Sequence, residues 1–194
     1  GDPSTSKSSL LLFANKLVRR SMYSSGRGAS AAGLTIGIVK RPNGTSLAQP
    51  GVLPLCHGGF AFIDELDKMN PLDRIGLHEA MEKGTVSINK AGFSMTLPSE
   101  TSVIAAANPK GGKWIEGMPV IENVNLLPTL LSRMDIRWRI LDTVGINDTR
   151  IAEHITGSFI DGIKSFYSIE DLSKIINYAR KIRPSMSPTA AKLL

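Results

Sequence analysis

The sequence predicts a three-layer α/β sandwich with an inserted β-hairpin and the start of a small helical lid, and three observations lead there. Two runs, Gly59-Phe60-Ala61-Phe62-Ile63 and Val103-Ile104-Ala105-Ala106-Ala107, have no polar residue to alternate with their apolar ones. A strand buried on both faces has that pattern, and such strands belong to parallel sheets covered by helices. Stretches of helical period lie around these runs, and strands alternating with helices mark an α/β sandwich. Between the two runs, Val86 and Ile88, then Phe93, Met95 and Leu97, alternate with polar residues on either side of Asn89-Lys90-Ala91-Gly92. That is a β-hairpin with Lys90 near its tip.

In chain order, Gly1 to Ser8 form a loop, and Leu10, Phe13, Ala14 and Leu17 then recur at i, i+3, i+4 and i+7. They form one stripe of a helix running to about Arg20. Residues 24–37 carry Gly26, Gly28, Gly33 and Gly37 among serines and alanines, have little to pack, and read as loop or broken helix. The first apolar strand follows and ends in Asp64 and Glu65. Asn70 is a capping residue, Pro71 suits the first helical position, and Gly84 supplies a left-handed residue after Lys83, which frames a helix over 71–83. Beyond the hairpin, the second apolar strand ends at Asn108-Pro109. Ile136, Trp138 and Ile140 alternate with Arg137 and Arg139, a further strand with one wet face. Ser168 and Asp171 form a capping box for a helix over 169–181, and Ser187-Pro188 caps another. The expected division is a core over 1–143 and a partial helical lid over 144–194, with a buried strand expected ahead of Gly1 and missing from the chain.

Composition narrows the function classes. The 194 residues, 42% hydrophobic and 21% charged, suffice for one substantial core. No apolar run approaches the roughly 20 residues that cross a bilayer, and no basic-then-apolar leader opens the chain. The reading is therefore intracellular, in cytoplasm or nucleoid for a prokaryote and nucleus for a eukaryote, with no membrane partner. The single cysteine, Cys56, makes neither an internal disulfide nor a zinc finger within the chain, and His57, His78 and His154 have no metal-ligand spacing. A net charge of +6 favours polyanionic partners without identifying one.

Gly1-Asp2-Pro3-Ser4-Thr5-Ser6-Lys7-Ser8 fits GxxxxxKS, with Ser6 where the usual phosphate loop GxxxxGK[ST] has its second glycine. In such a loop, backbone N–H groups and a helix N-terminus turn partial positive charge toward phosphates. Lys7 adds a full charge, and the Ser8 hydroxyl can ligate Mg²⁺. Alone, the stretch reads at least as well as a serine-rich helix cap. Asp64 and Glu65 end a buried strand, where a phosphate-loop fold needs one acid for Mg²⁺ and a second to orient attacking water. Adjacent acids are otherwise a common strand exit. The joint order is harder to reach by chance: loop, helix, about fifty residues, apolar strand, Asp-Glu, then an apolar strand ending in Asn108. It points to nucleotide hydrolysis.

GDPSTSKS, FIDELDKM at Phe62 to Met69, HEAME at His78 to Glu82, AAANP at Ala105 to Pro109 and LLSRMD at Leu130 to Asp135 together resemble consecutive motifs of the MCM (minichromosome maintenance) replicative helicases, whose motor is an AAA+ P-loop NTPase. The resemblance is close over 1–140 and looser beyond, and the family tolerates the serine form of the loop. It implies Gly1, Asp2, Pro3, Ser4, Thr5, Ser6, Lys7 and Ser8 as the Walker A nucleotide-binding loop, and Asp64 and Glu65 as Walker B. Ser8 and Asp64 would hold Mg²⁺, Glu65 would act on water, and Asn108 would be the sensor that positions it. Arg133 would be the finger reaching a neighbour's ATP, and Arg74 a second contact across the subunit interface. Lys90 is implied on a channel-lining hairpin that grips DNA phosphates without reading bases, and residues 34–58 as the family's second-helix insertion, with Lys40 and Arg41 as further DNA contacts. ATP and Mg²⁺ are the implied cofactors. Single-stranded or forked DNA and a hexameric ring of identical or related MCM subunits are the implied partners. On their own, Arg133 reads as a helix-end cap or solvated residue and Lys90 as a solubilising turn residue. The family's SRFD stands here as Ser132-Arg133-Met134-Asp135, followed by a strand carrying Arg137 and Arg139.

The function this implies is an ATP-dependent DNA helicase motor that hydrolyses ATP at the subunit interfaces of a ring and unwinds DNA in replication. A chelatase- or MoxR-type AAA+ remodeller is one alternative, and predicts no DNA-stimulated turnover. A hydrolysis-deficient MCM-like scaffold is another, and predicts binding without turnover.

Overall fold

The computed structural model describes residues 1–90, 92–142, 145, 148–161 and 165–191. The chain runs through α1 (Lys7–Leu17), β1 (Ser21–Ser25), α2 (Ala31–Leu34), β2 (Ile36–Lys40), β3 (Ser46–Pro50), α3 (Val52–Leu55) and β4 (Phe60–Asp64). A 3₁₀ turn (Leu66–Lys68) leads into α4 (Pro71–Lys83), then β5 (Thr85–Lys90), β6 (Phe93–Pro98) and β7 (Ser102–Ala105). The short helices α5 (Val120–Asn123) and α6 (Pro128–Leu131) precede α7 (Asp148–Asp161), α8 (Ile169–Ala179) and α9 (Pro188–Ala191).

The centre is a parallel sheet in the order β1-β4-β7. Strand β4 is paired on both sides and its Ala61 to Asp64 are buried, which explains its unbroken apolar run. Alternate residues of β4 feed two cores, because successive side chains of a strand point to opposite faces. Ala61 and Ile63 join Leu34, Leu53, Leu66, Leu77 and Leu130 on the side of α2, α3 and α4. Phe62 joins Leu11 of α1 and Ala106 on the other side, with Phe60 stacked on it at 6.3 Å. Helices on two faces of a parallel sheet make the three-layer α/β sandwich.

Four sequence expectations need correction. Helix α1 buries Leu11 and half-buries Ala14 and Val18, whereas Leu10 and Phe13 are 56% and 45% exposed. Residues Leu10 to Phe13 are all apolar, so periodicity alone could not choose between two adjacent stripes. The segment around Ile136, Trp138 and Ile140 is not a strand, and Trp138 is 83% exposed. A groove of about 1220 Å³ lies beside it, with Val103, Ile104 and Ala105 of β7 also in its lining, and among the described residues no strand pairs with it. Strand β1, and the β2–β3 hairpin within 34–58, were not anticipated. β1 is polar at Ser21, Ser24 and Ser25, which an edge strand with one ladder tolerates. The β2–β3 hairpin turns at Asn43-Gly44, Gly44 having φ 80°, with Lys40 and Arg41 at its tip.

Other elements match their local chemistry. Asn70 Oδ1 accepts the Leu72 N–H at 3.0 Å, and Gly84, at φ 63°, donates to the Ala80 carbonyl at 2.9 Å, so α4 spans the expected 71–83. In the β5–β6 hairpin, Val86 pairs with Leu97, Ile88 with Met95 and Lys90 with Phe93. Lys90 is therefore the last residue of a strand, and the four-residue turn expected there is shorter. Ser168 Oγ accepts the Asp171 N–H at 3.1 Å at the start of α8. The boundary expected at 143–144 lies outside the described residues. Among the described residues no helix is long and apolar enough to cross a membrane.

Candidate active site

The N-terminus of α1 and the C-terminal ends of β1, β4 and β7 meet at one edge of the sheet. Asp64, the last residue of β4, has the Ser8 hydroxyl at the start of α1 close enough to favour its ionised form. Its Oδ2 accepts the Tyr23 hydroxyl at 2.8 Å, and its Oδ1 accepts the Glu65 N–H at 2.8 Å. Burial opposes ionisation of Asp64, but these donors and the charge of Lys7 outweigh it and hold the carboxyl below its ordinary range. Burial, then the hydrogen bond to Asp64, pushes the Tyr23 phenol up to about 12. Tyr23 thus stays a donor to the carboxylate at neutral pH.

Glu65 has left-handed backbone, φ 49°, which costs a non-glycine residue energy and recurs at functional sites. Gly26 permits this turn: its N–H donates to the Asp64 carbonyl at 2.6 Å, and a Cβ there would lie 2.4 Å from the Glu65 carbonyl oxygen. Ser25 Oγ donates to Glu65 Oε2 at 3.1 Å. Next along the sheet edge, the Leu66 N–H donates to the Ala106 carbonyl, and the Asn108 N–H donates to Asp67 Oδ1 at 2.9 Å.

The loop ahead of α1 is held by Asp2, which is buried. Its carboxylate accepts the Trp114 N–H at 2.7 Å and the Asp142 N–H at 3.0 Å, and its own N–H donates to the Ile140 carbonyl at 2.9 Å. The Asp142 and Trp114 N–H groups hold the Asp2 carboxyl below its ordinary range. Ser4 and Ser6 both have left-handed backbone, so Ser6 adopts the conformation that glycine adopts without strain. No side chain caps the N-terminus of α1, which leaves its partial positive charge facing the loop. The Lys7 ammonium donates to the Asp2 carbonyl and, at 3.2 Å, to Thr5 Oγ1. Burial lowers the Lys7 pKa, and the nearby carboxylates of Asp2, Asp64 and Asp67 partly restore it. An uncapped helix N-terminus, a half-buried lysine and a hydroxyl–carboxylate pair are the donor set that a magnesium-bound triphosphate fits.

Three expected site residues lie elsewhere. Arg133, after α6, pairs its Nη2 with Glu82 Oε1 of α4 at 2.7 Å, and both side chains are partly exposed. Lys90 is exposed at the end of β5. Arg74 is 4% exposed: its Nε donates to the Met69 carbonyl at 3.1 Å, Nη1 to Asn125 at 2.8 Å and Nη2 to Asp67 at 3.0 Å. A guanidinium committed to three carbonyls within its own chain does not suit the intersubunit contact expected of it. Sequence reasoning missed Tyr23, Ser25 and Gly26, which sit on or just after an edge strand with no periodic signal. It quoted Asp67 inside a motif but gave it no role.

A loop that leads from the sheet edge into an uncapped helix, facing paired acids at the end of the neighbouring buried strand, defines a P-loop fold of the AAA+ type. The family model described as MCM P-loop domain matches residues 1–159, and the chain belongs to the MCM family. It is 42% identical over 197 residues to the minichromosome maintenance protein MCM of Saccharolobus solfataricus, covering 100% of this chain and 29% of that protein. It is 45% identical over 201 residues to DNA replication licensing factor MCM4 of Arabidopsis thaliana, and 41% over 199 residues to MCM6 of the same plant, covering all of this chain and 24% of each. The chain thus spans less than a third of the length of these relatives.

Proposed function

We propose that this chain is the ATP-hydrolysing motor segment of an MCM-type DNA helicase that works as a ring, completing each site with Arg133 from a neighbouring subunit. The observation that carries the reading is the Ser8–Asp64–Glu65 constellation, in which a helix-start hydroxyl and two strand-end acids converge beside Lys7. Ser8 and Asp64 would hold Mg²⁺, which neutralises phosphate charge when bound. Lys7 and the N–H groups of the α1 start bind phosphate oxygens. Glu65, anchored by Ser25, orients water, and Asn108 positions the same water from the segment that follows β7. Arg133, held by Glu82 near the C-terminal end of α4, is free to serve a neighbour once Glu82 releases it. Lys90 contacts DNA phosphate, alongside Lys40 and Arg41. The core and lid divide near 143.

The test measures nucleotide binding and single-turnover hydrolysis in the full-length protein with and without single-stranded DNA. Lys7→Ala is expected to abolish binding, and Glu65→Gln to bind ATP but not hydrolyse it. Wild-type hydrolysis by Glu65→Gln refutes the site, and turnover indifferent to DNA refutes the helicase in favour of a remodeller.

A further inference from the structure

We infer that Asp67 is a positioning residue for Asn108, and that Arg74 locks Asp67 in place, the two forming a buried bridge across the site. The inference rests on the reading of Asn108 as the water-positioning residue. Strand β7 ends at Ala105, and its pairing with β4 stops there. Beyond that point the Ala106 N–H still reaches the Ile63 carbonyl, but the Asn108 N–H has left the ladder and finds Asp67 Oδ1 instead, at 2.9 Å. The peptide plane from which the Asn108 side chain springs is thus set by one carboxylate.

That carboxylate is 7% exposed, and burying a charge is costly unless hydrogen bonds and partners compensate. Its other oxygen has Lys68 Nζ at 3.3 Å, on a lysine whose side chain is half exposed. Arg74 then fixes the turn that bears Asp67 from beneath. Its Nη2 donates to the Asp67 carbonyl, in the middle of the turn that starts from Glu65, and its Nε to the Met69 carbonyl at the end of that turn. Its Nη1 reaches Asn125, ahead of α6 and Arg133. Glu65, Asn108 and the base of the Arg133 segment therefore share one frame through two side chains. A misplacement of about 1 Å in such a frame can cost about a hundredfold in rate.

The test is steady-state ATPase of full-length protein, with ring formation and melting temperature checked for each variant. Asp67→Ala is expected to lower kcat by about ten- to a hundredfold while the KM for ATP stays within about twofold. Asp67→Asn is expected to keep near-wild-type turnover, because its amide oxygen accepts the same bond. Asp67→Ala combined with Asn108→Ala should be no slower than Asn108→Ala alone. Should Asp67→Ala fail to assemble, Asp67→Ser, too short to reach the Asn108 N–H, is compared with Asp67→Asn in the same way. The bridge is overturned if Asp67→Asn is as slow as the truncation, or if the double variant shows both losses multiplied. Wild-type turnover in Asn108→Ala overturns the role of Asn108 and the bridge with it. Wild-type turnover in Asp67→Ala beside a slow Asn108→Ala overturns the bridge alone.

Discussion

Replacing Arg74 by methionine separates an interior arginine from an interfacial one. Methionine preserves the unbranched stem that packs in α4 and removes the planar fork with its three donors. The lost bonds, at 3.1, 2.8 and 3.0 Å, all run to backbone carbonyls in the interior. Hydrogen bonds to a charged group contribute about 1.5–3 kcal/mol each, but the carbonyls relax and the guanidinium no longer needs desolvating. A net destabilisation of about 3–5 kcal/mol follows, because each carbonyl left without its donor costs about 1–3 kcal/mol before relaxation. At about 2–4 °C per kcal/mol for a domain of this size, the melting temperature falls by about 10 °C. Lysine at this site keeps the charge but cannot span three acceptors, so Arg74→Lys falls between the two. The assay is thermal denaturation of the full-length protein without nucleotide, followed by ATPase at a temperature where both forms are folded. A melting temperature within about 1 °C of wild type, with ATPase lost, would refute the argument. It would place the work of Arg74 across a subunit boundary.

Ser6→Gly relieves a left-handed serine, φ 55°, whose backbone costs about 1–2 kcal/mol, against about 0.5–1 kcal/mol of extra glycine entropy. A gain of about 0.5–1 kcal/mol in denaturant unfolding is expected with ATP affinity retained, and a loss of stability would contradict the strain. Gly26→Ala puts a Cβ 2.4 Å from the Glu65 carbonyl, and Gly59→Ala one 2.0 Å from that of Arg20 at the opposite end of β4. Both should lose about 1–3 kcal/mol or more, but only Gly26→Ala should also lose turnover at temperatures where both are folded. Equal turnover would show that the Glu65 turn tolerates displacement. Tyr23 has its folded pKa raised to about 12, so its contribution is fully present below its unfolded value near 10 and is lost as pH rises through 12. Tyr23→Phe should flatten the fall in melting temperature over that alkaline window, and an unchanged slope would exclude the burial and the bond to Asp64 as its cause.

How much was legible depended on whether a residue's reason is local. Asn70, Pro71 and Gly84 act within one turn of themselves, and α4 has the bounds they gave. Strand β4 was legible because burial on both faces leaves a mark in composition that needs no partner to be named. Strand β1 left none: Ser21, Ser24 and Ser25 form a strand only because β4 offers a ladder. The converse failure is Ile136, Trp138 and Ile140, whose alternation is sound but which have no ladder among the described residues. At the site, the motif acids could be read at once, whereas Arg74 could not be distinguished from an interfacial arginine, since its three partners are carbonyls that any sequence would supply. Asp67 was hidden for a similar reason, because its partner is a backbone N–H 41 residues away.

Helix α4 passes into the β5–β6 hairpin through the single residue Gly84. From Arg74 to Gly84 the helix extends about 15 Å, and a six-residue strand adds about 20 Å. Together these lengths give about 35 Å as the farthest that Lys90 can stand from the pinned 3₁₀ turn, a reach that the left-handed bend at Gly84 shortens. Leverage follows from length: a tilt of about 5° at the root carries a point at that reach through at most about 3 Å. An angular change at that turn too small to disturb the packing around Leu77 would thus be magnified at Lys90.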